Sequence, residues 1–72
     1  MTRVGVVGAG VMGRNHARVL HELHDAELVG VADSNLDAAG QVADFHAIRG
    51  YGSLEELLQK EKPDAVTIAV PT

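Results

Sequence analysis

Short apolar runs and amphipathic stretches alternate along the chain. Val4-Gly5-Val6-Val7 is a β-branched run that stops at Gly8-Ala9-Gly10. Met12, His16, Val19, Leu20 and Leu23 then recur at the spacing of one helical face. The polar run His21-Glu22-Leu23-His24-Asp25 ends that helix, and Leu28-Val29-Gly30-Val31-Ala32 predicts a second buried strand closing at Asp33. Asn35 is a good N-cap for a helix whose apolar positions are Leu36, Ala39 and Ala43. A short third strand is expected around Ala47-Ile48. Ser53 and Glu56 form an S-x-x-E capping box, which opens a third helix with Leu54, Leu57 and Leu58 as its buried face and Lys62-Pro63 as its end. Ala65-Val66-Thr67-Ile68-Ala69-Val70 is the fourth strand, stopped by Pro71.

The order is β-α-β-α-β-α-β. Strands this apolar, separated by helices, belong in a parallel sheet covered on both faces. Right-handed crossovers favour the strand order 3-2-1-4, a partial doubly wound α/β sheet of the Rossmann kind with strands 1 and 4 side by side at the switch point. At 72 residues the chain is one domain, residues 1–72, and buries only about 60% of its unfolded surface, so its stability is expected to be marginal.

Gly8-Ala9-Gly10-Val11-Met12-Gly13 reads G-x-G-x-x-G. Alone the pattern is weak, but here it follows a predicted strand and opens a predicted helix, as a dinucleotide site requires. Gly8 permits the tight turn, Gly10 lets backbone approach a pyrophosphate, and Gly13 lets helix and strand pack closely. Free N–H groups at the helix start, near Val11 and Met12, then face the phosphates. Asp33 stands at the end of the second strand, where an acid can accept hydrogen bonds from an adenosine ribose. A carboxylate there repels a 2′-phosphate, and Ser34 and Asn35 follow rather than an arginine, so NAD is favoured over NADP. Val70-Pro71-Thr72 end the fourth strand beside the first and should edge the cofactor cleft.

Charge sharpens this reading. Arg3, Arg14 and Arg18 precede the first acid, Glu22, so positive charge gathers around the glycine segment while the net charge of the whole is −4. That balance opposes general binding to nucleic acid or to an anionic membrane. With no cysteine, neither a disulfide nor a thiolate nucleophile is available. No apolar run approaches membrane-spanning length and no signal peptide is recognisable, which makes the cytoplasm the default location. His21 and His24, near Glu22 and Asp25, read as a solvated helix end rather than a zinc site. His16 reads as a packing residue of the first helix. No catalytic residue is assigned.

Together these residues resemble the glucose–fructose oxidoreductase, inositol dehydrogenase and rhizopine-catabolism (Gfo/Idh/MocA) family. The resemblance rests on Val4 through Gly13, His16 three residues later, Val31-Ala32-Asp33, and Asp64-Ala65-Val66 leading to Ala69-Val70-Pro71-Thr72. Gly13 through Leu20, with Ile68 through Thr72, looks most like the sugar-nucleotide branch. The resemblance implies dinucleotide contacts from the backbone of Gly8, Ala9, Gly10, Val11, Met12 and Gly13, from Asp33, and from Ser34, Val70, Pro71 and Thr72. It also implies a hydride-transferring oxidoreductase acting on a hydroxyl of a sugar, sugar nucleotide or polyol. Members continue into further strands, a lysine motif and a substrate domain. This chain stops before them, so it is expected to be a truncated dinucleotide-binding domain, inactive alone. Two other uses of the same features are an NAD sensor without catalysis and an S-adenosylmethionine-binding domain. The uncharged fourth strand is a candidate for self-association.

Overall fold

The elements form where local chemistry favours them. Gly8, at φ 108°, breaks the first strand in a conformation that side-chain-bearing residues rarely adopt. Asn35 Oδ1 accepts the Ala38 N–H at 3.2 Å and starts one helix. Ser53 Oγ accepts the Glu56 N–H at 3.2 Å and starts another, while Glu56 reaches back to the Gly52 N–H at 3.3 Å. The computed structural model describes residues 2–23 and 25–69, with the side chains of residues 11–14 excepted. In chain order it contains β1 Thr2–Val7, α1 Val11–Glu22, β2 Ala26–Ala32, α2 Leu36–His46, β3 Arg49–Tyr51, α3 Leu54–Glu61 and β4 Ala65–Ile68.

The strands form one parallel sheet in the order β3-β2-β1-β4, as the pattern of runs predicted. Both faces are covered. On one, Val6, Leu28 and Val31 of the sheet pack with Ala17 of α1 and Ala39, Val42 and Ala43 of α2. On the other, Leu57 of α3 packs against Ala32 and Tyr51, with Val7, Leu54 and Val66 around them. A register shift between Val4 and Gly5 opposite β2 places an extra residue, Val29, in that strand. It lets Leu28 and Val31 face the same core although they are three apart.

Four sequence expectations are corrected. The third strand is Arg49–Tyr51, not Ala47-Ile48. Ala47 instead ends α2 in the left-handed conformation, φ 55° and ψ 42°, and the Ile48 N–H returns to the Ala43 carbonyl at 2.9 Å. This is a Schellman cap built without glycine. The inward face of α1 centres on Ala17, fully buried, and Leu20, whereas Val19 and Leu23 are about half exposed. Leu58 is exposed, so the buried side of α3 is Leu57, with half-buried Leu54 beside it. Leu36, at 63% exposed, lies outside the core of α2. Val70, which was expected to finish β4, lies outside the described residues, as does Met12 as a packing side chain.

The amino ends of the strands are closed by charge. Arg3 pairs with Glu61 at 3.5 Å, and the Tyr51 hydroxyl donates a hydrogen bond to the Glu61 carboxylate. Burial, and then this carboxylate, push the Tyr51 phenol above its ordinary value. The Arg3 N–H donates to Asp64 at 2.9 Å and fastens the α3–β4 turn to β1. Among the described residues, no helix is long and apolar enough to cross a membrane.

Candidate dinucleotide site

The carboxyl end of a parallel strand at a switch point leaves a gap between diverging crossovers. Here β1 meets that condition, with β2 on one side and β4 on the other. The chain leaves β1 through Gly8, Ala9 and Gly10 and enters α1 at Val11. The Gly8 N–H donates to the Ala32 carbonyl at 2.7 Å, and the Ala69 N–H donates to the Val7 carbonyl at 2.8 Å. The turn is therefore held from both neighbouring strand ends.

Among the described residues three helices start, and they start differently. Asn35 caps α2 and Asp37 lies in its first turn. Ser53 caps α3, with Glu55 and Glu56 in its first turn. The N-cap of α1 is Gly10, which offers no side-chain hydrogen bond, and its first turn carries no acid. With no side-chain cap from Gly10, its initial N–H groups and its positive dipole end suit an external anion. A Cβ built on Gly10 would meet nothing within 4 Å, so space lies open on that side of the backbone. These features suit a pyrophosphate.

Asp33 follows β2 and is half-buried. Its two oxygens are engaged separately: Oδ2 accepts the Ala9 N–H at 2.8 Å and Oδ1 accepts the Asn35 N–H at 2.8 Å. The Asn35 and then the Ala9 hydrogen bond hold the carboxyl below the usual carboxylate range, against a smaller opposing effect of burial. A cleft of about 370 Å³ opens beside it, lined among others by Gly8, Asp33, Ser34, Gly52 and Ser53. A carboxylate and a serine at one edge and a glycine turn at the other fit an adenosine ribose leading to a pyrophosphate.

The structure thus brings Gly8, Ala9, Gly10, Asp33 and Ser34 together, with Val11–Gly13 forming the backbone of the first turn of α1. Val70, Pro71 and Thr72 lie outside the described residues. Gly52 and Ser53 were missed from the sequence. They follow the carboxyl end of β3, and strand-end logic would have found them had that strand been placed at Arg49–Tyr51. His16 also gains a partner that spacing could not reveal, since its Nδ1 lies 3.1 Å from Thr67 Oγ1 across α1 and β4. His21 packs against His46 with ring centroids 4.9 Å apart. Among the described residues, no three His, Cys, Asp or Glu side chains gather as a metal-binding group.

The family model described as an oxidoreductase family with an NAD-binding Rossmann fold, GFO_IDH_MocA, matches residues 2–72. The chain belongs to this family. Inositol 2-dehydrogenase of Renibacterium salmoninarum is 39% identical over 69 residues, covering 94% of this chain and 21% of its own length. The solved UDP-N-acetylglucosamine 3-dehydrogenase of Acidithiobacillus ferrooxidans superposes with a TM-score of 0.86 at 38% identity, over 99% of this chain and 22% of that one. The myo-inositol dehydrogenase of Lactobacillus casei, solved with NAD(H) and myo-inositol, gives 0.85 at 35% identity over 96% and 21%. The chain spans about a fifth of the length of the relatives it matches. It is an NAD-binding Rossmann unit of the Gfo/Idh/MocA family, and the expected fold, family and cofactor are borne out.

Proposed function

We propose that residues 1–72 are the dinucleotide-binding portion of an oxidoreductase that moves hydride between NAD and a hydroxyl of a sugar, sugar nucleotide or polyol. The observation that carries this reading is the uncapped start of α1 behind a glycine turn that is tied to Asp33. In it the backbone of Gly8, Ala9, Gly10, Val11, Met12 and Gly13 faces the pyrophosphate, and Asp33 and Ser34 face the adenosine ribose. Val70, Pro71 and Thr72, which lie outside the described residues, are assigned to the edge of the cofactor cleft from the sequence and its resemblance alone. When bound, NAD supplies the hydride acceptor; the chain's own groups orient and neutralise it. Substrate and proton-transfer groups would come from a substrate-binding portion outside these residues. The names of the relatives, dehydrogenases of inositols and of a sugar nucleotide, support the substrate class.

Backbone amide NMR during NAD titration tests the site. Shifts should cluster at Gly8 to Gly13, Asp33 and Ser34, with weak affinity. Shifts scattered elsewhere, none at millimolar NAD, or a stronger response to S-adenosylmethionine in a parallel titration would overturn the assignment.

A further inference from the structure

Glycines give the β1–α1 turn its shape at the cost of a flexible backbone, so something must hold that backbone if it is to meet a ligand already formed. We propose that Asp33 does this: its carboxylate is the template on which the phosphate-facing turn is set before any dinucleotide arrives, making Asp33 a positioning residue as well as a ribose acceptor. The inference rests on the dinucleotide reading above and goes beyond it by giving the acid a task in the empty protein.

The Asp33 backbone is itself fixed, its N–H donating to the Tyr51 carbonyl at 3.0 Å on β3. From that anchor Oδ2 takes the Ala9 N–H and Oδ1 takes the Asn35 N–H, both at 2.8 Å. Asn35 in turn caps α2 through the Ala38 N–H. One residue thereby fastens the glycine turn to the start of α2 through its side chain and to the third strand through its backbone. Each carboxylate oxygen has two acceptor positions, so each keeps one for a ribose hydroxyl. Ribose and pyrophosphate recognition are then coupled through the same group. An amide cannot replace it, because one of its two ends is a donor and would face a backbone N–H.

Positioning and simple electrostatics predict opposite signs. Removing a negative charge beside a phosphate site should tighten anion binding; removing the template should loosen it. In the ligand-free 72-residue chain, the amide protons of Ala9 and Asn35 should titrate together on acidification, with one midpoint below the ordinary carboxylate range. In Asp33→Asn, Ala9 amide exchange should rise about tenfold or more relative to Val31 in β2, the scale of a lost charge-assisted hydrogen bond. Inorganic pyrophosphate should bind that variant several-fold more weakly. An Ala9 or Asn35 resonance that ignores the titration, or pyrophosphate binding that is unchanged or tighter in the variant, overturns the proposal. The titration needs no variant and stands even if Asp33→Asn folds poorly. Absence of NAD binding in the wild-type chain, with the titration as expected, would instead count against the dinucleotide reading alone.

Discussion

Asp33, Ser34 and Asn35 are consecutive, yet only one of them is free to change. Asp33 holds two backbone N–H groups and Asn35 caps α2, whereas Ser34 is exposed at the rim of the cleft. An exchange of Asp33 for serine with Asn35 for arginine, the obvious route to NADP from sequence alone, would remove the turn's template and a helix cap together. It should weaken both dinucleotides. Ser34→Arg leaves both intact and adds a partner for a 2′-phosphate. It should move the ratio of NADP to NAD affinity by about 1 kcal/mol toward NADP, as expected for a charge pair at a partly exposed edge. Parallel calorimetric titrations check this, and an unmoved ratio would mean that Ser34 does not face the ribose. The sequence made Asp33 visible through its place at the end of the second strand, but the Ala9–Asp33 bond was not legible. It depends on how far a loop folds back across a strand, which no spacing rule encodes.

Elements were legible in proportion to how many independent signals each carried. The third helix announced its cap and its buried Leu57, though not the exposure of Leu58, and α3 begins where the Ser53–Glu56 pair placed it. The third strand had three residues and one buried side chain, Tyr51, and its neighbour Ala47 is an alanine doing the work usual for glycine. The inward side of α1 was misread by about one position because small Ala17, not the larger Val19, lies against the sheet. Strand glycines explain the close approach on the opposite face. A Cβ on Gly5 would stand 2.8 Å from a Leu57 methyl carbon, and one on Gly30 would stand 2.7 Å from the other. The two glycines are a socket for the one fully buried leucine. Gly30→Ala should therefore destabilise the chain by about 1–3 kcal/mol through overpacking, a large share of a small domain's stability. Denaturant midpoints measure it. Leu57→Ala should cost about 2–5 kcal/mol alone but much less in the Gly30→Ala background, because the added methyl enters the space the leucine leaves. Strict additivity would show that the two sites do not share this contact.

Over the whole molecule, the sheet is well covered on its faces and poorly covered at one edge. β4 pairs with β1 from Val4–Ala65 to Val7–Ile68, and among the described residues no strand lies on its other side. Ala65 is exposed and Ile68 is 60% exposed, an uncharged edge of high β-propensity. An edge of this kind is a template for another strand, whether from a further part of the same polypeptide or from a second copy. The 72-residue chain by itself should therefore associate as its concentration rises, through β4. The substitution that tests this must add charge without disturbing the site. Thr67 is a poor choice, since its hydroxyl meets His16 and joins β4 to α1. Ile68→Lys places the charge at the exposed end of the strand and leaves that contact alone. Sedimentation across a range of concentrations should show association in the parent chain and its reduction in Ile68→Lys, with the Gly8 to Gly10 amide resonances unmoved. Hydrogen exchange at Val66 to Ile68 completes the test, because pairing between copies protects those amides in a concentration-dependent way. A chain that stays monomeric at every concentration, with those amides already protected when dilute, would mean that the edge is covered from within the molecule.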